Sequence, residues 1–160
     1  MTEPPLARRP IVGVMGGAEC GPEEAALAED VGRLLARRHA ILLSGGRGGV
    51  MEAASRGAAA EGGLVLGLLP GRDATESPPN AHLSVALFTG LGDGRNYVNA
   101  CASHALIAIA GGWGTLSEIA LARKLGKPVV LLRGWVLDAP DLIRASTAED
   151  AVEEALLSIA

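Results

Sequence analysis

Short apolar runs alternate along this chain with longer stretches in which apolar positions recur every three or four residues, the pattern expected of repeated βα units. The runs Ile11 to Met15, Ala40 to Leu43, Leu64 to Leu69, Leu83 to Phe88, Ala105 to Ile109 and Pro128 to Leu132 are mostly apolar at both parities, as strands buried on both faces require. Between the first two, Pro22 to Arg38 places Ala26, Leu27, Val31, Leu34 and Leu35 on one helical stripe. Glu23 and Glu24 in its first turn and Arg37 and Arg38 in its last complement the helix dipole. Val50 to Glu61 reads as a second helix stopped by Gly62-Gly63, Arg95 to Ser103 as a third, and Thr115 to Leu125 as a fourth, closed by Gly126 with Pro128 beyond. A fifth, Thr147 to Ile159, has Thr147 as its cap and Glu149 and Asp150 in its first turn. Residues Gly71 to Asn80, polar and broken by prolines, form a loop expected to lie over the strand ends, where loops often cover ligands.

This order predicts an α/β fold: a single Rossmann-like, doubly wound, mostly parallel sheet with helices on both faces. The domain is expected over residues 11–160, behind a short flexible leader over 1–10. At 160 residues the chain can bury a full core. With 14 Lys and Arg against 18 Asp and Glu, and no strongly basic stretch, it lacks the positive field of a nucleic-acid binder. No apolar run approaches the ~20 residues of a membrane span, and none suits a signal peptide. Cys20 and Cys101 lack any CxxC spacing, which points to a reducing, cytoplasmic setting without a zinc site or disulfide framework.

Three strands run straight into glycine: Met15 into Gly16-Gly17, Ser44 into Gly45-Gly46, and Ala110 into Gly111-Gly112-Trp113-Gly114-Thr115. In a doubly wound sheet all three turns open on the carboxyl edge, where ligands bind. Glycine lets the backbone approach a ligand closely, and the free N–H groups of the following helix face an anion, with Thr115 adding a hydroxyl. A phosphate-bearing small molecule is the ligand this edge suits. Neither GxGxxG nor the P-loop pattern is present. Glu118, three residues beyond Thr115, either faces the ligand or completes a capping box with Thr115. Arg95 places a positive charge at a helix start, where it is locally unfavourable, and so invites a role at the same edge. His39, His82 and His104 are too scattered for a shared metal site, Cys101 reads as core, and Cys20 has no neighbouring base. Trp113 either stacks on a ring or caps its turn.

The stretch Gly111 to Glu118 resembles the PGGxGTxxE signature of the Lonely Guy (LOG) family, phosphoribohydrolases that release the base from cytokinin nucleoside 5′-monophosphates and often from AMP. Arg95 stands at the spacing of that family's catalytic arginine, and the similarity runs from about Ile11 to Arg133, including Ser44 to Glu52. The signature's proline is Ala110 here, and the lysine that usually follows the arginine is Asn96. The patterns Thr89 to Asn96, Glu118 to Ala122 and Lys127 to Leu132 look closer still to the related molybdenum cofactor carrier proteins, which protect a phosphorylated pterin. The resemblance implies Arg95 and Glu118 as catalytic residues and Gly16, Gly17, Gly45, Gly46, Gly111, Gly112, Gly114 and Thr115 as ligand-binding ones. It leaves two readings: hydrolysis of a nucleoside 5′-monophosphate without a cofactor, or carriage of the molybdenum cofactor with no bond broken. It also implies a homodimer or homotetramer. A pyridoxal-dependent lysine decarboxylase is set aside, because Lys124 and Lys127 lie at a helix end away from the glycine edge.

Overall fold

The computed structural model describes residues 8–160. Its sheet contains β1 (Ile11–Gly16), β2 (Ile41–Ser44), β3 (Val65–Leu69), β4 (Val85–Phe88), β5 (Ala105–Ile109), β6 (Val129–Arg133) and β7 (Ile143–Arg144). The strands run in the order β4-β3-β2-β1-β5-β6-β7, and every neighbouring pair is parallel. The helices are α1 (Pro22–Arg37), α2 (Val50–Ala60), α3 (Arg95–Ala102), α4 (Trp113–Lys124) and α5 (Ala148–Leu157). The doubly wound α/β fold expected from the sequence is the fold observed.

Alternation along the strands divides the core in two. Ala105, Ile107 and Ile109 of β5 pack with α1, α2 and α5, whereas Leu106 and Ala108 pack with Ala100 of α3 and Ile119 of α4. Thr147 caps α5 as expected, its hydroxyl accepting the Asp150 N–H at 3.1 Å. Of the leader expected over 1–10, residues 1–7 lie outside those described. Beyond them, Arg9 Nε donates to His39 O at 2.7 Å and Pro10 O accepts the Ile41 N–H at 2.8 Å.

Several expectations are corrected. The seventh strand escaped notice because only two residues, paired with Val130 and Leu131 of β6, enter the ladder. Helix α4 starts at Trp113, two residues before Thr115, with Gly112 as its N-cap, so Thr115 lies inside the helix and no capping box forms. Cys101 is exposed rather than core, because α3 turns Asn99 and Ala100 inward and leaves Tyr97 and Cys101 outward. The connection from β3 to β4 has no helix, so Val85, Leu87 and Phe88 of the edge strand remain partly exposed.

Helices α1 and α2 cross in backbone contact. A Cβ added at Gly32 would stand 1.9 Å from Ala54 O, and one at Gly57 would stand 2.0 Å from Glu29 O. Both glycines sit in helix interiors, where alanine is ordinarily the better residue. Here the approach of the opposite main chain reverses that preference. Gly32→Ala and Gly57→Ala are each expected to lower stability by about 1–3 kcal/mol in urea denaturation, the cost of overpacking, rather than raise it as helix propensity would.

Candidate functional site

Between β1 and β5 the order of connections reverses: β2, β3 and β4 follow on one side, β6 and β7 on the other. The loops leaving the two central strands therefore part, and a cavity of about 260 Å³ opens at their carboxyl ends. All three glycine turns meet there. Gly17 O accepts the Val50 N–H at 3.0 Å, tying the first turn to α2, and a Cβ on Gly17 would lie 3.6 Å from Gly111 Cα in the third.

Eight of the ten residues singled out in the sequence line this cavity: Gly16, Gly17, Gly45, Gly112, Gly114, Thr115, Arg95 and Glu118. Gly46 and Gly111 do not. They shape the turns from behind, at φ +76° and +89°, and a Cβ on Gly111 would fall 2.1 Å from Thr115 Oγ1. The Gly71 to Asn80 loop also does not line the cavity. Its end is fastened to the second glycine turn, Asn80 N donating to Gly46 O at 2.9 Å and Asn80 Nδ2 to Arg47 O at 3.0 Å.

Ala110 explains one departure from the LOG signature. It has φ +50° and donates its N–H to Arg133 O at 2.8 Å. Proline, with φ fixed near −65° and no N–H, fits neither condition.

At the cavity floor, Arg95 Nη1 donates to Gly45 O at 2.7 Å and to Leu68 O at 2.8 Å, bridging the ends of β2 and β3 from the start of α3. Its Nε is buried and unpartnered. Burial pulls the guanidinium pKa below its ordinary value, while the nearby Glu118 carboxylate acts in the opposite sense. Glu118, on the first turns of α4, is 7% exposed. Burial raises its pKa to about 7, against the lowering effects of an Asn99 hydrogen bond and of Arg95. Asn99 Nδ2 donates to Glu118 Oε2 at 2.9 Å.

Asn99 is wholly buried and was missed in the sequence; its position four residues after Arg95, on the same face of one helix, was the available signal. Arg47 and Asp93 also line the cavity, hidden in glycine-rich runs that drew attention to their neighbours. The site thus offers helix N–H groups and two arginines to an anion, beside a carboxyl group whose pKa burial raises to about 7. Among the described residues no group of three or more His, Cys, Asp or Glu could hold a metal ion. Likewise, no helix among them is long and apolar enough to cross a membrane.

The chain belongs to the SLOG cluster4 family, whose model matches residues 9–157. Over 145 residues it is 39% identical to an uncharacterized protein of Archaeoglobus fulgidus, with 91% of each chain covered. Its structure is similar to that of the molybdenum cofactor binding protein from the phototrophic bacterium Rippkaea orientalis, with a TM-score of 0.90 at 39% identity over 96% of this chain and 99% of that one. It is also similar to the molybdenum cofactor carrier protein from Chlamydomonas reinhardtii, with a TM-score of 0.83 at 35% identity over 94% and 98% of the two chains.

The Glu118 environment carries a pH signature. With a pKa near 4.5 when unfolded and about 7 when folded, the native state binds the extra proton between these values, so stability falls as pH rises across that window. Glu118→Gln, which cannot ionise and still offers Asn99 an oxygen, is expected to stabilise the protein by up to about 3 kcal/mol above pH 7 and by little at pH 4. Thermal unfolding of both proteins across this range checks it.

Proposed function

We propose that this protein binds and carries a phosphorylated pterin of the molybdenum-cofactor type, with the phosphate at the amino end of α4. The observation that carries the reading is the anion cradle at the β1/β5 switch point. Helix α4 has no side-chain cap, so the N–H groups of its first turn have no partner within the helix. Gly112 leaves open space above them, and Arg47 and Arg95 line the same cavity.

Two features favour carriage over hydrolysis. Arg95 Nη1 is already engaged by two main-chain carbonyls, which makes it a fixed positive charge that orients an anion. Glu118 is held toward its neutral form by burial, and a neutral carboxyl donates a hydrogen bond to a phosphate or pterin oxygen where a carboxylate would repel it. The neighbours named as molybdenum cofactor carrier and binding proteins cover nearly the whole chain, which supports the same choice. The nucleoside 5′-monophosphate hydrolase reading uses the same pair, since a group with a pKa near 7 suits general acid–base work. In that reading Glu118 would stabilise the positive charge that develops on the ribose, and Arg95 would steady the leaving base.

The carrier works by binding alone: the helix amides and arginines hold the phosphate, and Glu118 donates to it from the same cavity. The assembly we read as homo-oligomeric, a second copy covering the exposed Val85, Leu87 and Phe88 of β4. Light scattering of the purified protein is then expected to give at least twice the monomer mass.

Molybdenum cofactor released from a molybdoenzyme is expected to co-elute with the protein on gel filtration, followed by molybdenum mass spectrometry. Arg95→Ala is expected to reduce that retention about tenfold or more, as loss of a charge-assisted contact does. AMP and related monophosphates should release no free base. Base release abolished by Glu118→Ala, without cofactor retention, would establish the hydrolase instead.

A further inference from the structure

The cavity does not end at the phosphate cradle. A second cleft of about 440 Å³ adjoins it and shares Asp93, Asn96 and Gly114 with it; Tyr97 and Trp113 form its aromatic walls. Trp113 is 79% exposed, an unusual position for the largest apolar side chain, and it rests against Trp135 with ring centroids 5.4 Å apart and planes tilted by 46°. Trp135 braces it from one side and leaves the rest of the ring to solvent.

Gly114 at the neck has no backbone reason to be glycine. It lies in the first turn of α4 outside the left-handed region, and a Cβ there would meet only Asn96 Nδ2, at an unstrained 3.8 Å. A missing side chain at that point keeps the two compartments joined. Asn96 Nδ2 donates to Ser117 Oγ at 3.1 Å, holding α3 against α4 across the neck. Asp93 stands in the turn Gly92–Gly94 between two glycines, lines both compartments, and has no side-chain hydrogen bond or ion pair among the described residues.

We propose that this second cleft is a subsite for a planar heterocycle, with Trp113 as the stacking surface and the Asp93 carboxylate reading a 2-amino-4-oxopyrimidine edge. The inference rests on the phosphorylated-pterin reading of the first cavity and assigns the specificity of that same site. An ionised carboxylate only accepts hydrogen bonds, and the exocyclic amino group and adjacent ring N–H of that edge present two donors side by side. Pterins and guanine carry this edge; adenine does not. A ligand with its phosphate at Gly112 to Thr115 passes Gly114 and lays its ring against Trp113.

The two tryptophans, Trp113 and Trp135, make ring binding visible by fluorescence, and calorimetry gives affinities. Wild type, Trp113→Ala and Asp93→Asn are titrated with GMP, AMP and inorganic phosphate; both positions are exposed, and unchanged unfolding temperatures confirm intact folds. Wild type is expected to bind GMP about tenfold tighter than AMP. Trp113→Ala is expected to weaken both nucleotides about tenfold while leaving phosphate unchanged, and Asp93→Asn to erase the preference for GMP. Equal affinity of wild type for GMP and AMP, failure to bind either, or a parallel loss of nucleotide and phosphate in Trp113→Ala would overturn the subsite. Cofactor retention on gel filtration alongside such a result leaves the carrier reading standing. GMP preference without cofactor retention leaves the subsite standing and removes the carrier.

Discussion

The reversal of strand order between β1 and β5 is the constraint on which the site depends. Parallel strands with crossovers on both faces must somewhere send two adjacent loops apart, and at that place main-chain polar groups at the strand ends lose their cover. The chain meets this with glycine turns that close against one another and with an uncapped helix whose first residues line the opening. Arg95 then stitches the ends of β2 and β3 from the far side. The Arg95 hydrogen bonds stabilise the sheet's carboxyl edge, whereas the uncapped start of α4 leaves N–H groups without a partner in the helix.

The chemistry follows from what is buried there. Arg95 is a guanidinium anchored on two carbonyls, and desolvation raises the neighbouring Glu118 carboxyl to about 7. Asn99 is the link between them: it stands one helical turn beyond Arg95 and hydrogen-bonds Glu118 across the packing of α3 on α4. Structural neighbours of this chain are named for binding and carrying the molybdenum cofactor.

Much of this was legible in the residues because the signals were local. Apolar runs such as Ala105 to Ile109 marked strands buried on both faces, and Gly111 to Glu118 marked the turn from a strand into a helix. What was hidden depended on tertiary placement. Ile143 and Arg144 form a strand only because β6 offers its free edge, and Cys101 is exposed because a short α3 turns another face to the sheet. Gly32 and Gly57, each unremarkable within its own helix, matter only where α1 meets α2. The prolines of the Gly71 to Asn80 loop reveal irregular backbone but not its destination, which is set by Asn80 docking on Gly46 and Arg47.

A phosphorylated ligand held as proposed places its anion on the amino end of α4 at the switch point. Backbone amide shifts in a ¹⁵N-labelled protein titrated with released molybdenum cofactor, and separately with inorganic phosphate, test it directly. Both ligands are expected to move the amides of Gly112, Gly114 and Thr115 together with those of Gly16 and Gly17. Shifts confined to the opposite end of the sheet, around Arg9 and His104, would contradict it.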